Sequence, residues 1–160
     1  MSTSIIDGTV EEATFKRAFV KMQVWGPLVF RLRDGSTRTL DKVIIESSLA
    51  PYITPGNSGR FYCYAAIDHR GIHGVRTDQG EAHYAFARNN EIVSLISAGF
   101  GALLIAISLA FQEWITGWAY ICLIIGVPGY FLYRETRLKA ERQFDADSGF
   151  VPPAAVAPAQ

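Results

Sequence analysis

Two long stretches of this 160-residue chain lack charge altogether: neither Ile92 to Phe111 nor Trp114 to Tyr133 holds an Asp, Glu, Lys, Arg or His. That absence excludes a proton relay or an ion-binding carboxylate inside them and disfavours transport by this chain alone. Cysteine is scarce as well. Cys63 and Cys122 fall in different halves of the chain, so no disulfide is expected, and with no neighbour at metal-ligand spacing both read as packing residues. Net charge is missing too. Fifteen basic and fifteen acidic residues cancel, and residues 1 to 90 hold eleven basic against nine acidic, too slight an excess to draw nucleic acid. The opening MSTSIIDGTVEEATF has no basic segment followed by a long apolar one, so no cleaved signal peptide is expected. No nucleophile-elbow, P-loop, zincin or dinucleotide signature occurs. The expectation is therefore a protein that is not an enzyme and takes no cofactor.

The two uncharged runs are themselves the strongest signal. As helices, each spans roughly 30 Å, the thickness of a bilayer hydrocarbon core. A soluble domain this small could hardly bury two such neighbours. Trp114, Trp118, Tyr130 and Tyr133 stand at the ends of the second run, where amphipathic rings favour the headgroup zone. Only Gln112 and Glu113 part the runs, whereas Arg76 and Arg88 precede them and Arg134, Arg137, Lys139 and Arg142 follow. Basic flanks stay inside, which predicts cytoplasmic termini and an external tip at Gln112 to Trp114, while small size and the absence of a targeting signal point to a bacterial inner membrane.

Residues 13 to 88 read differently. Aromatic and β-branched segments at Phe15 to Val24, Leu28 to Arg33, Thr37 to Glu46, Arg60 to Asp68, Ile72 to Thr77 and Glu81 to Phe86 predict about six antiparallel strands. Breaks are expected at Gly26-Pro27, Asp34-Gly35-Ser36, the Pro-containing stretch Ser47 to Ser58, His69-Arg70-Gly71 and Asp78-Gln79-Gly80. With no amphipathic helix in this half to cover the sheet, it should curl into a small barrel or sandwich, OB-like or SH3-like. The expected class is an α+β membrane protein: a leader over 1–12, a cytosolic β-domain over 13–88, and a transmembrane hairpin over 89–133 with spans 92–111 and 114–133. A helical extension follows over 134–147, then a disordered Pro/Ala-rich tail over 148–160. Asn89 or Asn90 should cap the first helix and Glu91 complement its dipole.

Three sets of residues are candidates for function. Ser94, Ala98, Ala102, Ala106 and Ala110 recur every four positions, with Gly101 beside them, and should let a second helix approach closely. Gly126, Pro128 and Gly129 form a possible hinge, because Pro128 cannot donate to the carbonyl of Ile124. Arg60, Tyr62, Tyr64, His73 and His83 make a possible interaction surface. Tyr62 and Tyr64 could stack on single-stranded nucleic acid, but with balanced charge packing or a protein partner is favoured. His69, His73 and His83 near Asp68 would form a metal site only if the strand register brought them together, and surface histidines at turns are common.

The partners expected are membrane lipid and a protein or a second copy of this chain, with a small-molecule ligand open. Three functions stand in order: a membrane-anchored docking or sensing module, a ligand-gated oligomer that perforates the bilayer, and a metal-dependent membrane-associated enzyme.

Overall fold

The computed structural model describes residues 2–65, 69–111 and 117–151. They form two compact units, one of residues 2–87 with 139–151 and the other of 88–111 with 117–138.

The first unit is a closed five-stranded barrel. Its strands are β1 (Ser2–Ala18), β2 (Met22–Leu32), β4 (Val43–Glu46), β5 (Ser58–Ala65) and β6 (Arg70–Thr77), with β3 (Thr37–Leu40) added to β2 and β7 (Ala82–Tyr84) added to β6. Around the barrel the order is β1-β5-β6-β4-β2 and back to β1. Strand β1 closes the ring by pairing along Ser2 to Thr9 with β5 and along Gly8 to Ala18 with β2. The expected leader over 1–12 is thus largely strand, where Ile6 and Val10 supply fully buried side chains. The barrel is also not wholly antiparallel. β4 runs parallel to β6, because the chain leaves β4 through the Pro51 turn, crosses the barrel as β5, and returns as β6 in the direction of β4.

The expected break at Gly26-Pro27 lies inside β2 instead. There β2 changes partner, from β4 over Met22 to Trp25 to β3 over Leu28 to Arg31, and its pairing with β1 slips. A proline fits that point because no ladder bond requires its missing N–H. The single strand expected over Thr37 to Glu46 is split at Lys42, which adopts a left-handed φ of 44°. The turn at Asp34-Gly35-Ser36 forms as expected, with Asp34 accepting from the Ser36 amide and hydroxyl. Leu28, Phe30, Val43, Ile45, Phe61, Ile72 and Val75 fill the interior.

The second unit holds α1 (Asn89–Ala110) and α2 (Gly117–Ala146) as far as Leu138. Among the described residues, α1 alone is long and apolar enough to cross a membrane. In α2, Gly, Pro and Tyr dilute the apolar stretch and Arg134 ends it, while the tip at 112–116 lies outside the described residues, as does most of the Pro/Ala tail. Helix α1 begins at Asn89, so Arg88 occupies the cap position, without a side-chain cap. Glu91, 5% exposed, pairs with Arg137 at 3.0 Å and more loosely with Arg88 at 3.7 Å.

Ser94, Ala98 and Gly101 lie where α2 comes close: Cβ atoms added at Gly126 and Gly129 would meet Ala98 and Ser94, and one at Gly101 would meet Ala119. Ser97 donates to the Cys122 carbonyl at 3.2 Å. Ala102, Ala106 and Ala110 are exposed. A row at every fourth residue turns about 40° per step away from a straight seam at 3.6 residues per turn, so the contact follows Glu91, Ser94, Ala98 and Gly101. Helix α2 continues through Pro128.

Candidate functional site

A bulge builds the site on the outer side of β5 and β6. Tyr62 pairs with Gly74 and Cys63 with Ile72, so the ladder steps over His73. One extra residue reverses the alternation of β6: Ile72 and Val75 both enter the core, and His73 is left among outward-facing rings. Tyr62, Tyr64, Tyr84 and Phe86 surround it with ring centres 6.0–6.3 Å away. Strict alternation would leave one face of β5 in solvent. Instead Phe61, Tyr62, Cys63 and Tyr64 are all buried, two against the core and two under a cover.

The cover is the end of α2 and the turn after it. Phe144 meets Tyr62 edge-on at 5.0 Å and Tyr84 at 5.3 Å. It needs Gly74 beneath it, since a Cβ there would stand 2.5 Å from the Phe144 ring. Arg76 lies 4.3 Å over that ring and donates to the Phe144 carbonyl at 3.2 Å. Asp147 accepts from the Tyr62 hydroxyl and, at 2.8 and 3.1 Å, from Arg60. Phe150 packs 4.2 Å from the same guanidinium. Arg60 also pairs with Asp7 at 3.0 Å, and Arg33 bridges Asp7 to Asp78, the latter at 2.6 Å. Two guanidiniums are therefore each shared between two carboxylates, a network rather than isolated pairs.

The protonation states follow from these surroundings. Desolvation opposes the charge on Asp147, but the Tyr62 hydroxyl and Arg60 outweigh it and hold the carboxyl below its usual range. Burial first, and the bond to Asp147 second, raise the Tyr62 phenol. Burial pushes the Cys63 thiol up to about 12, leaving it inert. His73, with no solvent exposure, is pushed down to about 4 by burial; the Ala140 backbone acts weakly the other way, without a well-formed hydrogen bond to either ring nitrogen.

Arg60, Tyr62, Tyr64 and His73 are thus brought together, under cover. His83 is not with them. It pairs with Val75, as a three-residue loop requires, but the bulge puts His73 on the other side of the sheet, and His83 instead stacks on Tyr52 at 3.8 Å beside Glu81. His69 meets the edge of Tyr64, and Asp68 lies outside the described residues. Among the described residues no three His, Cys, Asp or Glu side chains converge as a metal site would require. A cleft of about 490 Å³ opens near Tyr52, lined by Asn57, Thr77, Asp78 and Glu81 among others. Asp7, Asp78, Phe144 and Asp147 carried no local sequence signal, because each gains its role from a partner more than 25 residues away.

Removing the cover has a measurable expectation. Phe144→Ala should destabilise the barrel by about 3 kcal/mol, the range for a buried phenylalanine, whereas Asp147→Asn, in a partly exposed network, should cost about 1 kcal/mol or less. Hydrogen exchange of the β5 and β6 amides in the detergent-solubilised chain reads both. Equal effects would mean that the ion network, not the ring, holds the cover.

Comparison of the chain with protein-family models, with curated proteins and with solved structures gives no match.

Proposed function

We propose that this protein is a non-enzymatic, membrane-anchored docking subunit: a barrel held at the cytoplasmic face of a bacterial inner membrane by a two-helix hairpin, capturing a protein partner within a larger membrane complex. The observation that carries this reading is a closed barrel joined through only Arg88 to an apolar helix whose Val93, Leu95, Ile96, Leu103 and Leu109 stand exposed. Such a surface requires lipid or another membrane helix. We read the barrel as OB-like. Two features support that over an SH3-like reading: the first strand pairs with both the second and the fourth of the five, and the third and fifth run parallel.

Extraction in mild detergent tests the proposal. An unrelated membrane protein should copurify in constant proportion to this chain. A chain that copurifies with no protein, oligomerises on adding a small molecule and leaks vesicles would replace it with the ligand-gated reading, which the cleft beside Tyr52 favours.

A further inference from the structure

The hairpin joining β1 to β2 holds large apolar side chains exposed. Phe15 is 52% exposed, Phe19 50% and Val20 98%. Lys16 and Arg17 stand between Phe15 and Phe19, and Lys21 follows Val20, all exposed, and no acidic residue occurs from Ala13 to Met22. The tip is ordered by pairing: Arg17 faces Val24, Ala18 faces Gln23, and the Phe19 amide donates to the Met22 carbonyl at 2.7 Å. The Ser47 amide holds it from the side through the Lys21 carbonyl at 3.1 Å. Phe15 is braced edge-on against Trp25 at 5.6 Å, and the Arg17 guanidinium lies 5.0 Å from the Phe19 ring. A rigid loop that holds two phenylalanines and a valine in water pays no ordering entropy when it finds an apolar phase.

We propose that this hairpin is a lipid-docking tip, with Phe19 and Val20 entering the headgroup and acyl boundary of an anionic bilayer and Lys16, Arg17 and Lys21 contacting its phosphates. The proposal rests on the membrane-anchored reading. Two observations select lipid over protein as the occupant. Lys16, Arg17 and Lys21 complement an anionic surface, each adding about a fivefold preference near it, while the Glu46 carboxylate across from Met22 is held by Ser48. The tip also sets Phe19 and Val20, 50% and 98% exposed, beside those cations. Exposed aromatic and aliphatic side chains ringed by lysine and arginine are the composition that binds an interface without spanning it.

The test uses the full chain in vesicles with a bimane label on Val20→Cys. Cys122 is replaced by alanine, and Cys63 needs no replacement because it is buried. Phosphatidylcholine vesicles with phosphatidylglycerol carry lipids spin-labelled on the acyl chain near the headgroup. Label on Val20→Cys should be quenched severalfold more than label on exposed Thr39→Cys, and reversing Lys16, Arg17 and Lys21 to glutamate should abolish the difference, at about fivefold weaker docking per lost cation. Label on Ile107→Cys in α1, read with deep spin labels, separates the two proposals. Quenching at Ile107→Cys but not at Val20→Cys overturns the docking tip alone, and none at either overturns the anchor. A Val20→Cys label shielded from iodide yet untouched by spin-labelled lipid would mean that protein covers the tip, which also overturns it.

Discussion

Alanine at Gly126 should force the two helices of the second unit apart. Its Cβ would stand 2.5 Å from the Ala98 amide nitrogen and 2.8 Å from the Ser94 carbonyl oxygen, and both are backbone atoms that cannot rotate aside. Relief requires the helices to separate by about an ångström, which weakens the Ser97 bond to the Cys122 carbonyl and strains the Glu91–Arg137 pair. Overpacking of this kind costs about 1–3 kcal/mol. A buried ion pair adds to the loss when it opens, because Glu91 is left without its partner in an apolar setting. Cys122, half-buried beside this contact, provides the readout: in a chain with Cys63 replaced by alanine, a thiol-reactive dye should label it about tenfold faster, or at a clearly lower temperature, in the Gly126→Ala variant. Gly99→Ala is the control, since a Cβ there meets nothing within 4 Å. Equal labelling of the two variants would mean that the close approach is not needed for packing.

The second large effect is on pH dependence. His73 titrates at about 4 in the folded barrel and near 6.5 when unfolded. Between those values the unfolded chain binds the proton and the folded one does not, so stability is full above pH 6.5 and falls as pH drops toward 4. The loss at pH 4 should be about 3 kcal/mol from this residue. Urea unfolding followed by Trp25 fluorescence, with Trp114 and Trp118 replaced by phenylalanine, measures it. In His73→Phe that component should vanish, because phenylalanine suits the ring layer and takes no proton. Histidine-labelled magnetic resonance gives an independent reading: Phe144→Ala removes the ring packed on Tyr62 and Tyr84, two of the rings around His73, and should move the His73 titration back toward 6.5. A wild-type His73 that already titrates near 6.5 would show that the cover is not closed in solution.

Part of this architecture is written locally. The alternation of Leu28, Phe30 and Leu32, the Asp34-Gly35-Ser36 turn and the uncharged run from Ile92 depend on neighbours in sequence, and the barrel and α1 could be read from them. The strand at 2–12 was hidden because Ser, Thr and Glu dominate it, and only Ile6 and Val10 mark its buried side. Its place is set by β5, more than 45 residues away. The bulge at His73 was equally silent. Residue types cannot say which position a ladder skips, yet that one step decides that His73 and His83 part company and that Tyr62 meets Phe144. The row of small residues on α1 is used only in part by α2, through Ser94, Ala98 and Gly101. Small side chains mark positions where close approach is tolerated, and helix geometry determines which of them are used.

The origin of the cover, finally, has a consequence for biosynthesis. Thr77 ends the last strand of the barrel, whereas Phe144, in the last turn of α2, is made 67 residues later and Asp147 just after that helix ends. At about 5–20 residues per second, the ribosome leaves Tyr62, His73 and Gly74 without Phe144 for several seconds while the two helices are made. A nascent barrel in that interval offers its aromatic layer to any holding factor nearby. Release then coincides with emergence of the segment that seals it, so completion of the first unit reports that the second has already been synthesised.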